Sequence, residues 1–447
     1  QALLVRPGID LHRMNAALAN LLQRHETLRM RFPSDRGELH AVIDERYAGK
    51  LNLHDLGNVT RQQMLDAVNA IASQPFDLES GPLFELHVFK CGKIGDVVLV
   101  PLCEFVADGW SISLIIDELV RHYLGMGSPS GDGTRYLDLL AATTLPEDSA
   151  QRAALDTYWR AVMQPLAPQP VFGRTAKGYP AAEPGMQAPY QRLSLHINRT
   201  GLNRLRKRAS ALHVSENALW SAAIMGTATR QAGAETSYFS AIHPMRNASG
   251  LNDKVAMLMG RLPVRCDVGA TRTFDALARQ IHDRLTANNE HAHPGVRIDA
   301  PATLPDGRPT AQQAWTQWAY GRLLPENVLK SSMAAPLIGA TRGKAIQILT
   351  YHFESLPMQP YGFTQGDFVF RPLTTPDGIE ISFFHDLLSL TGDEATALLM
   401  EAMDALGLEA AHLGERDVSG VMGHAEDLDR LRRGLAPEPY RFESSVG

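Results

Sequence analysis

The chain has 447 residues, a formal net charge of −6, 44% hydrophobic residues and 21% charged residues, which is typical of a globular protein with two or three domains. Acidic and basic residues are interspersed, so the composition excludes the basic surface of a nucleic-acid-binding protein and a polybasic membrane patch. No apolar run approaches the ~18 residues that a membrane-spanning helix needs. Cys91, Cys103 and Cys266 are too few and too far apart for a disulfide framework or a metal site, so we expect a cytoplasmic protein.

The first half of the chain alternates strands and helices. The segment ALLVRPG predicts a strand, and residues 10–32 predict a helix with Asp10 as its N-cap. Residues 83–92 and 96–104 predict two strands, and residues 111–125 predict an amphipathic helix. The chain begins with QALLVRPGID, without an initiator Met or a signal-like apolar segment, so we expect it to be part of a longer polypeptide.

The second half repeats this pattern after a break. Residues 164–190 are rich in Pro and Gly and lack periodicity, which predicts a linker. The elements predicted after it are strands at 191–197, 236–244, 261–268, near 345–353 and at 379–384, and helices at 201–213, 215–229, 273–289 and 392–408. We therefore predict two α/β lobes with mixed sheets. The predicted limits are 1–163 for the N-terminal lobe, 164–190 for the linker, 191–435 for the C-terminal lobe and 436–447 for a tail or a linker to a next domain.

The stretch CEFVADGWS, residues 103–111, marks a turn between a predicted strand and a predicted helix. Strand alternation places Glu104 on the same face as three apolar residues, Val98, Val100 and Leu102. A carboxylate buried on that face is costly unless it is paired or protonated. The alternative is that Glu104 lies just past the end of the sheet, in water.

Two segments give the chain a resemblance to the condensation domains of nonribosomal peptide synthetases. That family has an R-H-E-x-L-R-T-R-F motif, and about eighty residues later an H-H-x-x-x-D-G motif at a strand-to-helix turn. The first motif is matched here by Arg24, His25, Glu26, Leu28, Arg29, Arg31 and Phe32, with Met30 in place of Thr. The second reads CEFVADG, so Asp108 and Gly109 are kept and both histidines are replaced. Weaker matches follow in order, including VAMLMGRLPVRCDV, where Gly260 and Arg261 stand for Asn and Thr of the family pattern.

The resemblance implies a fold and a set of partners. The fold would be two lobes like chloramphenicol acetyltransferase, in a V shape around a central tunnel. Donor and acceptor carrier proteins or domains would dock at its mouths and deliver thioester-bound substrates on phosphopantetheine arms, and neighbouring synthetase domains would be further partners. The resemblance implies no cofactor bound by the domain itself and no metal.

The resemblance also assigns roles to residues of the turn. Asp108 would be structural and form a buried ion pair with Arg24. Glu104 takes the position of the second His, which receives or positions the proton of the attacking amine, and apolar walls would raise its pKa. Strand alternation turns Cys103 into the first lobe as a space-filling residue, and Gly109 and Trp110 would be further structural residues of the active site. Arg29, Gly260 and Arg261 are further tunnel or motif positions.

Two functions remain open at this level. The first is an atypical condensation-type acyltransferase that forms an amide or an ester, or performs a variant reaction, with Glu104 as the catalytic group. The second is a catalytically inactive platform that recruits a tailoring enzyme, such as an oxygenase, to carrier-bound intermediates. Loss of both histidines favours the platform. An ionisable residue at the key position favours the enzyme, and the sequence favours the enzyme narrowly.

Overall fold

A computed structural model of the chain describes residues 1–47, 49–129, 132–162, 177, 190–246, 250–295, 316–318, 345–356, 368–375 and 378–418. Its helices are α1 (Leu11–Arg24), α2 (Arg61–Ala72), α3 (Gly109–Tyr123), α4 (Tyr136–Thr143), α5 (Ala150–Val162), α6 (Arg199–Leu212), α7 (Glu216–Gln231), α8 (Phe274–Glu290) and α9 (Gly392–Ala405). The strands of its first half are β1 (Ala2–Arg6), β2 (Met30–Arg31), β3 (Ser34–Asp35), β4 (Glu38–Leu39), β5 (Val42–Ile43), β6 (Leu51–Asp55), β7 (Leu86–Lys90) and β8 (Asp96–Leu99). Those of its second half are β9 (Tyr190–Asn198), β10 (Thr236–His243), β11 (Gly260–Asp267), β12 (Thr316–Trp318), β13 (Ala345–Ile348), β14 (Tyr351–Ser355), β15 (Phe368–Thr375), β16 (Gly378–Asp386) and β17 (Leu413–Val418).

The first sheet has six strands in the order β13-β14-β1-β8-β7-β6. Its pairs are antiparallel except β6 with β7, which is parallel. Alternating residues of β8 face two different cores, so both faces of this sheet are covered. Val98 packs with residues of α1 and α3, whereas Val97 and Leu99 pack with residues of α2.

The second sheet has seven strands in the order β11-β10-β12-β15-β16-β9-β17. Helices α6, α7, α8 and α9 contribute to a single large core on one face, together with inward residues such as Phe239, Val264 and Phe370. Since side chains alternate along a strand, the intervening residues of these strands lie on the opposite face. These two mixed sheets agree with the predicted fold class.

Two strands from the second half of the chain belong to the first sheet. The hairpin β13–β14, which we call the crossing hairpin, pairs with β1 of the first sheet: Leu3 lies opposite Ser355 and Val5 opposite Phe353. The predicted C-terminal lobe of 191–435 therefore needs correction, because residues 345–355 belong to the first sheet. Strand periodicity reports a strand but not the sheet that it joins, and here the hairpin covers the edge of β1.

Several predicted boundaries were too long. The helix predicted over 10–32 ends at Arg24, because His25 adopts an extended backbone and residues 26–29 form a short 3-10 turn. Asp10 is its N-cap as predicted, accepting hydrogen bonds from the backbone N–H groups of His12 and Arg13.

The predicted linker lies outside the described residues except Lys177 and Tyr190, and so does the predicted tail. None of the described helices combines the length and the apolar character needed to cross a membrane.

Candidate functional site

The site is built on the connection between β8 and α3. Beyond β8 the chain continues beside the segment at 83–84, where Cys103 donates its backbone N–H to the carbonyl of Leu83 at 3.0 Å. A turn follows over residues 104–106, closed by the N–H of Val106 and the carbonyl of Cys103 at 3.1 Å. Helix α3 then begins at Gly109.

Asp108 is the N-cap of α3. Its carboxylate accepts hydrogen bonds from the backbone N–H and from the hydroxyl of Ser111, both at 2.8 Å. It also accepts one from the backbone N–H of Leu258 at 3.2 Å. A carboxylate at a helix N-terminus satisfies an otherwise unpaired N–H and interacts favourably with the helix dipole.

The ionic partner of Asp108 is Arg246, from the loop that follows β10. The Nη2 atom of Arg246 lies 2.9 and 3.0 Å from the two carboxylate oxygens, and both side chains are 1% exposed. Its Nη1 atom donates to the carbonyls of Leu251 and Lys254, and its guanidinium carbon lies 5.2 Å from the ring centroid of Trp110. Burial lowers the pKa of Arg246, and the charge of Asp108 acts against that lowering.

The predicted pair of Arg24 with Asp108 is therefore wrong. Arg24 donates from Nε to Glu118 at 3.1 Å instead. Glu118 lies ten residues beyond Asp108 on α3, or about 15 Å along the helix axis, which places Asp108 out of reach of Arg24. The sequence contained one signal for Glu118, since it is an acidic residue beside the apolar stripe of α3. We find no such signal for Arg246, which follows β10 in an irregular loop.

Glu118 also contacts His25, whose Nε2 atom lies 3.1 Å away and whose Nδ1 atom lies 3.0 Å from the hydroxyl of Thr134. Burial acts to raise the pKa of Glu118, but its contacts with His25 and Arg24 outweigh burial and hold the pKa below its ordinary value. His25 is fully buried, so this cluster is an internal structural contact of the first lobe.

The rest of the early motif also joins segments of the chain. Glu26 accepts the backbone N–H of Tyr136 at 2.8 Å, and Thr27 donates its hydroxyl to the carbonyl of Val255 at 2.6 Å. Arg29 donates to the carbonyls of Leu22 and Asp44. These contacts place Arg29 within the first lobe, where it ties the end of α1 to a neighbouring loop.

The loop between β10 and β11 docks on the first lobe. We call residues 250–259 the crossing loop. Val255 is fully buried in the first core, and its backbone N–H donates to the hydroxyl of Thr134 at 2.7 Å. Trp110 donates its indole N–H to the carbonyl of Asn252 at 2.9 Å. The start of β11 thereby lies beside the turn that precedes α3. Gly260 is closely packed, since a Cβ atom at this position would lie only 2.3 Å from the Cε atom of Met245.

Glu104 is exposed, so its predicted burial among Val98, Val100 and Leu102 is wrong. Strand alternation does not extend to residue 104, because β8 ends at Leu99 and a turn begins at Glu104. The charge of Glu104 acts on two arginines of the second sheet, Arg261 on β11 and Arg371 on β15. Burial lowers the pKa of both arginines, and the negative charge of Glu104 acts in the opposite direction on each. Sequence reasoning missed Arg371, which lies far from the motifs.

Cys103 is half-buried beside an apolar cluster that includes Met30, Leu83 and Val106. Burial raises the pKa of its thiol, which disfavours the reactive thiolate. This position supports the space-filling role predicted for Cys103. Within the described ranges, no group of three or more His, Cys, Asp or Glu side chains has the arrangement of a metal site.

Comparisons with known proteins agree with this architecture. A family model described as "Condensation domain" matches residues 1–297. The chain is 24% identical over 293 residues to the nonribosomal peptide synthetase kk1B of Curvularia clavata, covering 64% of this chain and 2% of that protein. It is 22% identical over 406 residues to the beauvericin nonribosomal cyclodepsipeptide synthetase of Beauveria bassiana, covering 87% of this chain and 12% of that protein.

Solved structures share the fold at low identity. The epimerization domain from the third module of tyrocidine synthetase B superposes with a TM-score of 0.69 at 16% identity, covering 91% of this chain and 90% of that one. The X-domain in its complex with OxyB from teicoplanin biosynthesis superposes with a TM-score of 0.67 at 17% identity, covering 91% of this chain and 86% of that one.

Proposed function

The chain belongs to the condensation-domain family, and from that premise we propose that it acts on intermediates that carrier proteins hold as phosphopantetheinyl thioesters. The kk1B and beauvericin relatives are nonribosomal peptide synthetases, and the chain spans only a small part of each. Donor and acceptor carrier domains, and neighbouring synthetase domains, are its proposed partners. The phosphopantetheine arm enters with the substrate.

Within that role, we propose that the domain binds and positions the intermediate without transferring its acyl group. The composition of the turn carries this proposal, because Cys103 and Glu104 replace both histidines of the family motif, and Glu104 is exposed at the turn. A carboxylate is a weaker base than an imidazole unless apolar surroundings exclude water from it. An exposed Glu at this position is therefore a poor replacement for a His that must receive a proton from the attacking amine.

The solved complex of an X-domain with OxyB suggests how such a domain would be used. In that complex a domain of this fold holds a second protein from the same biosynthesis. By analogy, the chain would recruit a tailoring enzyme to a carrier-bound intermediate. The analogy rests on the shared fold.

Acyl transfer through Glu104 is the second candidate, and one observation favours it. Glu104 is exposed at the turn, whereas Asp108 in the same connection forms a buried ion pair with Arg246, so a substrate can reach the carboxylate of Glu104. In this candidate Glu104 accepts or positions the proton of the incoming nucleophile.

One experiment separates the two candidates. Native donor and acceptor carrier partners are loaded with their thioesters, transfer is followed by intact-protein mass spectrometry, and carrier binding is measured by calorimetry. We expect binding without transfer for the wild type and for Glu104→Gln. Glu38→Gln, which changes an exposed glutamate of the β3–β4 hairpin, is the matched control.

Two results would contradict the platform proposal. Transfer by the wild type that Glu104→Gln slows by roughly 10²–10⁴-fold would establish the catalytic candidate instead. Absence of binding to any loaded carrier would contradict both candidates, because each requires a carrier-bound intermediate.

A further inference from the structure

We propose that His243 is a pH-sensitive latch between the two halves of the chain. In its neutral form it holds the backbone that carries Arg246, and its protonation releases the crossing loop from the first lobe. The inference does not depend on the proposed function. It rests on the hydrogen bonds around His243, on the backbone conformation of Met245 and on the contacts of Arg246.

Arg246 fastens the crossing loop to the start of α3. Its Nη2 atom donates to Asp108, to the hydroxyl of Ser111 at 3.2 Å and to the carbonyl of Ala256 at 3.3 Å. The loop also contacts the same residues directly. The backbone N–H of Ala256 donates to the hydroxyl of Ser111 at 3.0 Å, and that of Leu258 donates to Asp108 at 3.2 Å. Displacement of Arg246 would therefore weaken the docking of the loop on α3.

The backbone just before Arg246 has an unfavourable conformation. Met245 has a φ of 49°, in the left-handed region that residues other than glycine rarely adopt. Its side chain is buried, and its backbone N–H donates to the Nδ1 atom of His243 at 3.0 Å. A conformation of this kind persists only where surrounding contacts hold it, and the hydrogen bond to His243 is such a contact.

The hydrogen bonds of His243 require the neutral imidazole. Its Nδ1 atom can accept the N–H of Met245 only while it carries no proton, and its Nε2 atom donates to the Oδ1 atom of Asn289 at 2.7 Å. A proton on Nδ1 would set two N–H groups against each other and break the bond to Met245. Burial lowers the pKa of His243, and its hydrogen bond with Asn289 acts in the opposite direction.

The elements around His243 carry other ionisable groups. Strand β11 pairs with β10, α8 contributes Asn289, and α5 packs against Met245. The ionisable groups at these places in the described part of the chain are Arg246, Arg261 on β11, Tyr158 on α5, and Glu290, His291 and His293 at the end of α8 and beyond it.

His293 is the group from which an effect of His243 has to be distinguished. Burial lowers the pKa of His293 as well. Its Nδ1 atom accepts the backbone N–H of Gly295 at 3.0 Å, just as His243 accepts that of Met245. Both histidines thus bind the residue two positions further on, but only His243 precedes Arg246.

Proton linkage gives the direction of the pH effect. While the loop is docked, the pKa of His243 lies below its ordinary value of about 6.5, and it returns to that value when the turn opens. The open state therefore binds more protons. The docked state is fully favoured above about pH 6.5 and is lost progressively as the pH falls below that value.

Hydrogen exchange of the crossing loop measures this opening in the full chain. Exchange of residues 250–259 is followed by mass spectrometry at pH 7.5 and at pH 5.5, and the rates are corrected for the intrinsic effect of pH on amide exchange. We expect the wild type to exchange up to about tenfold faster at pH 5.5 after this correction, because a group of pKa about 6.5 in the open state shifts the opening equilibrium by that factor.

Two substitutions separate the ionisation of His243 from its structural role. His243→Asn keeps an acceptor at the δ position for the N–H of Met245 but does not titrate, so the loop should exchange slowly at both pH values. His243→Gln loses that acceptor, so the loop should exchange fast at both. His293→Asn is the matched control and should keep the pH dependence of the wild type. Circular dichroism of each variant checks that the fold is retained.

Three results would overturn the proposal. The first is equal corrected exchange of the wild type at the two pH values. The second is the wild-type rise at pH 5.5 in His243→Asn or, if that variant does not fold, in His243→Gln, because the responding group would then lie elsewhere. The third is loss of the rise in His293→Asn, which would assign the pH dependence to His293.

Discussion

Asp108 combines two roles that the family motif does not distinguish. It caps α3 through Ser111, and it neutralises Arg246 of the other half of the chain. Arg24, the partner expected from the motif, instead pairs with Glu118. Two buried ion pairs, in which each motif residue has a different partner, therefore replace the single predicted one. A sequence motif shows which residues are present. The partner of each residue depends on which side chains the folded chain brings within reach of it.

Asp108→Ala should lower the free energy of unfolding by about 3–5 kcal/mol, because it leaves Arg246 buried without its counter-ion. Urea unfolding monitored by circular dichroism measures the change. Asp10→Ala is the matched control, since Asp10 is also an N-cap but is exposed and caps only α1. An Asp108→Ala variant with the unfolding midpoint of the wild type would contradict the role assigned to this pair.

At the scale of elements, the crossing loop matters more than its sequence suggests. Residues 250–259 show no helix or strand periodicity, yet Val255 fills part of the first core and Thr27 of the early motif binds its carbonyl. The same loop supplies the carbonyls that hold Arg246 and Trp110. The early motif and the turn are thus connected through a loop from the second half.

Val255→Ala should destabilise the protein by about 1–3 kcal/mol, because it opens a cavity in the first core. Met257→Ala is the control in the same loop, since Met257 is 41% exposed, and it should change stability by less than about 0.5 kcal/mol. Chemical denaturation gives both values. Equal effects of the two substitutions would show that the docking of Val255 contributes little.

At the scale of the whole molecule, the halves of the chain complete each other. Val255 and Phe353 of the second half are members of the first core, and the crossing hairpin adds two strands to the first sheet. Strand β1 pairs with the crossing hairpin on one side and with β8 on the other, so removal of the hairpin would make β1 an unpaired edge strand.

A fragment of residues 1–162 should therefore fail to fold alone, although it includes every helix of the first half. We expect a poorly dispersed NMR spectrum and no cooperative thermal transition for the fragment. For the full chain we expect a cooperative thermal transition that involves both halves. A fragment with a dispersed spectrum and a sharp transition would contradict this interdependence of the halves.

Local sequence determined most of the elements of this protein and the family to which it belongs. Apolar periodicity and the capping residue Asp10 predicted helices that the structure contains, because these signals act within one or two turns of the chain. Tertiary structure alone decided the pairing of Asp108 with Arg246, the exposure of Glu104 and the sheet that the crossing hairpin joins. Each of these depends on residues that are far apart in sequence: Arg246 lies 138 positions from Asp108, and Ser355 pairs with Leu3. Contacts at such separations leave no periodic trace in a single sequence, so the surroundings of Glu104, and with them the proposed function, could come only from the folded chain.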